Sequence, residues 1–303
     1  MTSSVAPSHI DNRWSASVDG LGNRPKEEAM RLAMQQMMVA ACVLVAVLTW
    51  PSAGLAQTWG FPGTTNEAFN AIPPGGPAPR RDLTGLWDAG NGGIGGQGQA
   101  AARDAARAPF TPLGKEMMSR NKPGNGPQAA SVAENNDPLS TIGDPSGFPR
   151  ILNYELRTVQ MVHTPNQVLM LYAFNQTWRV IWTDGRALPK DPDPRWFGYS
   201  VGHWEDDTTF VVDTIGLDPR TWIDNNGNPH SEALRVVERY RRVNLNTLEL
   251  TVTIDDPLVY TKPWLSRERL PLKRLPAETD VLEMIYSASE AKEYKESISS
   301  QAK

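Results

Sequence analysis

The sequence predicts a mainly β fold, an antiparallel up-and-down barrel of about eight to ten strands. A long irregular N-terminal segment precedes it and a short C-terminal helix follows. Three observations carry this reading. From Leu156 onward, short runs rich in Val, Ile, Thr, Trp and Tyr recur at hairpin spacing between turn sequences. Leu248, Leu250, Val252 and Ile254 alternate with Glu249, Thr251 and Thr253, as in a strand with one buried and one wet face. Consecutive strands lack crossover helices between them, which argues for a meander, and a long meander closes to remove its edges.

Composition agrees. The 303 residues are 40% hydrophobic and 21% charged, which excludes a wholly disordered chain and a coiled coil. Glycine (24) and proline (25) are frequent, so many turns and few long helices are expected. A net charge of −4 leaves no electrostatic footprint for nucleic acid. One cysteine excludes an intrachain disulfide framework and a Cys-based zinc site.

The elements follow in order. Residues 37–50 form an uncharged apolar run, short for a membrane span but suited to the core of a secretory signal. Gly54 and Ala56 place small residues before a cut at Gln57, so residues 1–56 read as a signal peptide. A start at Met30 would make that signal compact, with Arg31 as its positive charge. The expectation is a periplasmic or extracellular protein, without a stable membrane span once the signal is cut. Residues 57–82 read as an extended arm. Residues 83–290 read as the barrel domain, with a glycine-rich insertion over 89–108 and a tail over 291–303.

Asp82–Trp87 reads as the first strand. Residues 111–120 make a short helix with Thr111 as cap and Pro112 at its first position. Residues 121–150 look irregular. Arg157–His163 and Gln167–Phe174 flank a Thr-Pro-Asn turn, and Thr177–Thr183 follows. A long loop runs to Phe197. Tyr199–Glu205 and Thr208–Thr214 form a hairpin around Asp206-Asp207. Leu234–Val243 and Thr247–Ile254 form another. Trp264–Leu272 and Asp280–Tyr286 are weaker strands, and 287–300 reads as a surface helix.

Gly85-x-Trp87 on the first strand resembles the signature of lipocalin-like (calycin-type) barrels. That resemblance implies a late arginine over the tryptophan, with Arg267, Arg269 and Arg274 as candidates. A second resemblance rests on Trp182–Arg186, Asp191–Trp196, Gly198–Glu205, Val211–Thr214, Pro229–Ser231 and Glu238–Tyr240. Over roughly residues 137–290 the chain is similar to a family of uncharacterised secreted bacterial proteins. This implies a secreted β-barrel and no particular reaction.

Candidate chemistry centres on histidines and carboxylates. His163, His203 and His230 show no metal-ligand spacing, so neither a metal nor a cofactor is expected. Pairing Glu205 with Thr208 would set His203 opposite Phe210 and put Asp213 on the other face, and a one-residue bulge would reverse that. His203 is then a packed wall residue or half of an Asp–His dyad. His230 sits in or beside a loop and could act as a base near neutral pH. On the Leu234–Arg242 strand, Glu238 and Tyr240 share the apolar face, which places Glu238 inside, with Arg179 as a candidate partner. Trp178 and Trp182 share one strand face, Trp196, Trp204, Trp222 and Trp264 lie in or near strand ends, and Tyr199 is a further ligand candidate. With Arg179, these aromatics are core and rim packing, or an aromatic pocket for a flat or sugar-like ligand.

Two functions stay open. One is a secreted barrel holding a small apolar or aromatic ligand in a closed cavity. The other is a cofactor-independent lyase, isomerase or hydrolase at the barrel mouth, using His203, His230, Glu238, Asp213 and Tyr240 for acid–base chemistry. A structural envelope protein with a filled barrel is a third.

Overall fold

The computed structural model describes residues 66–90, 108–126, 128–154, 156–281, 283–285 and 287–301. The expected signal segment (1–56), the start of the expected arm and residues 91–107 of the glycine-rich insertion lie outside the described residues. Nine strands form a closed barrel in sequence order: β1 (Gly85–Asp88), β2 (Val159–His163), β3 (Gln167–Tyr172), β4 (Trp178–Trp182), β5 (Tyr199–Trp204), β6 (Thr209–Ile215), β7 (Arg235–Asn244), β8 (Thr247–Asp255) and β9 (Trp264–Arg274). The closing rungs are Trp87–Arg274 and Asp88–Lys273.

One step departs from the expected antiparallel meander. β4 and β5 run parallel, held by the pairs Ile181–Ser200 and Trp182–Val201. A parallel pair needs a crossover instead of a tight turn. Residues 183–198 supply it, returning along the outside of the wall without a helix. At the β3–β4 turn, Asn175 and Gln176 take positive φ (54° and 44°), a geometry suited to tight hairpin turns.

The β5–β6 register also differs from expectation. His203 pairs with Val211 and Val201 with Asp213. The turn is one residue longer than read, because the Asp206 carboxylate accepts from the amides of Thr208 and Thr209 (2.6 and 2.7 Å). Those backbone donors, with the Thr208 and Thr209 side chains, hold the exposed Asp206 carboxyl down to about 2 against the upward push of desolvation. His203 and Asp213 therefore share the outer face. Asp280–Tyr286 is not a strand: Met284 makes a lone bridge to Phe174.

Four short helices precede or cap the barrel: α1 (Asn66–Ala71), α2 (Pro112–Arg120), α3 (Pro138–Ile142) and α4 (Arg150–Asn153). Thr111 caps α2 by accepting from Gly114 N at 3.0 Å, with Pro112 at the first position. Asp137 caps α3 in the same way, and Gly143 (φ 74°) ends it left-handed. A fifth helix, α5 (Ala288–Gln301), closes the described chain. No helix among the described residues is long and apolar enough to cross a membrane.

The end of the segment read as irregular, with the residues that follow it, forms the barrel's plug. Phe148, Ile151, Leu152 and Leu156 are fully or almost fully buried, and they join the single core with Met161, Met170, Tyr240 and Leu250. Arg267 donates to the carbonyls of Leu152 and Asn153 (3.2 and 2.5 Å), tying α4 to β9. At the other end, Trp87 is fully buried and donates to Leu83 O at 2.8 Å. The arginine over its ring is Arg242, 4.6 Å from the centroid, and not one of the three late candidates. Arg274 packs instead against Gly85, where a Cβ would come within 3.0 Å of its Nε. Burial pushes Arg242 down to about 10.

Candidate functional site

β7 alternates as its sequence implies. Leu234, Val236, Glu238, Tyr240 and Arg242 face inward and are buried. Glu238 is completely buried, and so is paired. Arg179 of β4 donates to both its oxygens, at 2.6 and 2.9 Å. The guanidinium also donates to Ser200 Oγ (2.9 and 3.0 Å) and Thr214 Oγ1 (2.6 Å), and it lies 3.9 Å from the Phe148 ring centroid. Tyr240 donates to Glu238 at 2.7 Å. Burial alone would lower the Arg179 pKa, but the Glu238 charge, its hydrogen bonds and the neighbouring Tyr172 and Tyr240 together outweigh that, and the net shift is upward. Burial pushes Tyr172 up to about 12, and lifts Tyr240 well above its usual value, with Glu238 adding to it.

This network is enclosed. Between Leu152, Leu156, Met170, Tyr172, Tyr240 and Leu250 no gap is wide enough for a water molecule. The closed ligand cavity expected of a binding barrel is therefore not found here. The plug and the long inward side chains fill the space.

The five candidate acid–base residues do not assemble. His203 stands exposed on the outer wall. Asp213 shares that face but accepts from Arg235 at 2.8 Å. His230 is fully buried at the plugged end, in the loop after β6. Its Nε2 lies 2.8 Å from Thr221 Oγ1 and its Nδ1 2.9 Å from Ser231 O. Burial lowers its pKa, opposed by the Ser231 carbonyl and the charges of Asp256 and Asp218. Ser231 donates to Asp256 at 2.9 Å, not to the imidazole. Only Glu238 and Tyr240 touch, inside the sealed lumen. Among the described residues no three His, Cys, Asp or Glu side chains converge as a metal set.

The aromatic candidates divide differently. The outer face of β4 carries Trp178, Val180 and Trp182, and that of β5 carries Tyr199 and Val201. The 183–198 crossover lies against this wall and encloses a groove of about 550 Å³. Four of the six ligand candidates, Trp178, Arg179, Trp182 and Tyr199, line it with Phe197 and Leu188. Two guanidinium groups stack on its rings: Arg186 lies 3.4 Å from the Trp182 centroid and Arg195 4.0 Å from that of Tyr199. Trp178 is 65% exposed, the most open of the large apolar side chains on the described surface.

The other two candidates lie elsewhere. Trp204 packs on Phe210 (5.1 Å) and near His163 (6.1 Å). Trp222 is buried, with the Arg150 guanidinium 5.5 Å from its ring. Sequence reasoning did not single out Arg186, Arg195 or Phe197 as ligand residues. The usable signal was that Trp182 and Tyr199 flank a loop rich in arginine and proline. No protein family, curated protein or solved structure is found to match the chain.

Proposed function

We propose that this chain is a binding protein whose small aromatic or apolar ligand lies in the outer groove between β4–β5 and the crossover, not in the lumen. The observation that carries the reading is the exposed Trp178 face beside a groove of about 550 Å³ lined by further rings. That volume falls within the range of small-molecule sites, roughly 300–1,000 Å³. An indole left open to water at a concave surface is costly unless something covers it for part of the time. The sealed lumen and the scattered histidines give the enzyme reading no comparable support.

The test is a ligand screen read by tryptophan fluorescence and confirmed by calorimetry, with Trp178→Ala alongside. A flat ligand should bind the wild-type chain and lose about tenfold or more on loss of the indole, in line with an aromatic contact worth over 1 kcal/mol. A ligand whose affinity is unmoved by Trp178→Ala would place binding elsewhere.

The apolar run over 37–50 and the small residues before Gln57 support secretion to the periplasm or beyond, as the resemblance to secreted lipocalin-like barrels also implies. The mass of the chain recovered from its host should begin at Gln57. A chain retained whole in the cytoplasm would overturn that address.

A further inference from the structure

We infer that the groove ligand is a planar aromatic anion, stacked on Trp178 and anchored through its negative group by Arg195. The inference rests on the groove reading above and names the ligand class.

Charge accounting in the groove carries it. Arg179, Arg186 and Arg195 contribute to the groove wall and no carboxylate does, but the Arg179 guanidinium points into the barrel. Two of the three are already neutralised. Arg179 is held by Glu238 from the inside (2.6 Å), and Arg186 by Asp184, through Nη2 at 2.6 Å and Nε at 2.9 Å. Arg195 is exposed, stacks on Tyr199, and has no ion pair among the described residues. The whole chain carries −4, so this open cation is a local feature and not a reflection of a basic protein. A guanidinium held over a ring has fewer rotamers open to it, which favours its N–H fork for a carboxylate, sulfonate or phosphate.

The rings fix the shape of the rest. Arg186 and Arg195 occupy faces of Trp182 and Tyr199, which leaves the exposed Trp178 indole as the open stacking surface. Continuing the Ile181–Ser200 register places Val180 beside Tyr199, and Trp178 two residues further along the same face of β4. Strand geometry then separates the Trp178 and Tyr199 backbones by roughly 8 Å. That distance suits one or two fused rings with an acidic substituent at one end.

The experiment uses calorimetry on the full chain, with naphthalene-2-carboxylate and its uncharged amide as probes. Both are flat and nearly equal in size. The carboxylate should bind about tenfold tighter than the amide, as expected for a charge-assisted pair at a partly exposed site. Arg195→Gln should erase that preference, and Arg195→Lys should keep part of it. Trp178→Ala should weaken both probes by a similar factor. Raising salt should weaken the carboxylate only. If both probes bind and lose affinity with Trp178→Ala, but the amide binds as well as the carboxylate, the anion inference fails and the groove stands. If neither probe binds at millimolar concentration, the groove reading fails with it.

Discussion

Removing one partner from the sealed ion pair should cost far more than removing both. In Glu238→Leu, the Arg179 guanidinium keeps its charge on a side chain that is only 2% exposed. It retains the Ser200 and Thr214 hydroxyls, which are dipoles and not counter-ions. Breaking a buried pair from one side costs about 3–5 kcal/mol. The Tyr240 hydroxyl also loses its acceptor, a further ~1 kcal/mol. For a domain of this size each kcal/mol lowers Tm by about 2–4 °C, so a fall of roughly 10 °C or more is expected. In Arg179→Met with Glu238→Leu, apolar chains of similar length fill the same space. Such replacements of a buried pair are close to neutral. The double variant should therefore melt within about 5 °C of wild type, the remainder reflecting the orphaned hydroxyls. The assay is thermal and urea unfolding of wild type, both single variants and the double, followed by circular dichroism. The reasoning is refuted if Glu238→Leu alone costs under about 1 kcal/mol, or if the double variant is less stable than either single.

Alkaline pH should destabilise the fold through its buried phenols. Tyr172 titrates near 12 when folded and near 10 when unfolded, so its contribution is complete below pH 10 and is lost as pH rises towards 12. Tyr240 and Tyr260 shift in the same direction, and phenolate absorbance from these three should rise together with unfolding. Acid acts through His230, whose pKa is lowered by burial. Its contribution is present above the ordinary value near 6.5 and is lost as pH falls below it, so His230→Gln should flatten the pH dependence of Tm between about 6.5 and 5. Leu152→Ala should cost about 2–5 kcal/mol by emptying the plug, measured by urea unfolding. Gly202→Ala should cost about 1–3 kcal/mol, since its Cβ would meet Phe210 Cζ at 2.3 Å with no free space to receive it.

Most strands were legible because a half-buried strand writes its period into the sequence. On β7 and β8 the buried set, from Leu234 to Arg242 and from Leu248 to Ile254, matches the alternation residue for residue. Glu238 was legible by the same logic, as a carboxylate on an apolar face with Arg179 within reach. Register was harder to read. The Asp206 side chain lengthens its turn by one residue, and that bond does not show in a pattern of apolar positions. The parallel β4–β5 step was hidden because it rests on two paired positions, which leave no periodic trace. The plug was missed because Phe148, Ile151 and Leu152 are set by the lumen they enter and not by a repeat of their own. The groove was half legible: its rings lie on strands, but Arg195 and Phe197 come from a loop whose path depends on that parallel step.

Closure between Trp87 and Arg274 joins the first strand of the barrel to its last. The first strand gains that neighbour only by closing a loop that spans almost the whole barrel. Loop-closure entropy over so long a stretch is paid late, and folds dominated by distant pairings reach their native state slowly, over milliseconds to seconds. Until then β1 and β9 present open edges, the kind that recruit other chains. This interval is when the chain is most exposed to aggregation. A chaperone that shields strand edges would then matter more to its yield than one that accelerates collapse.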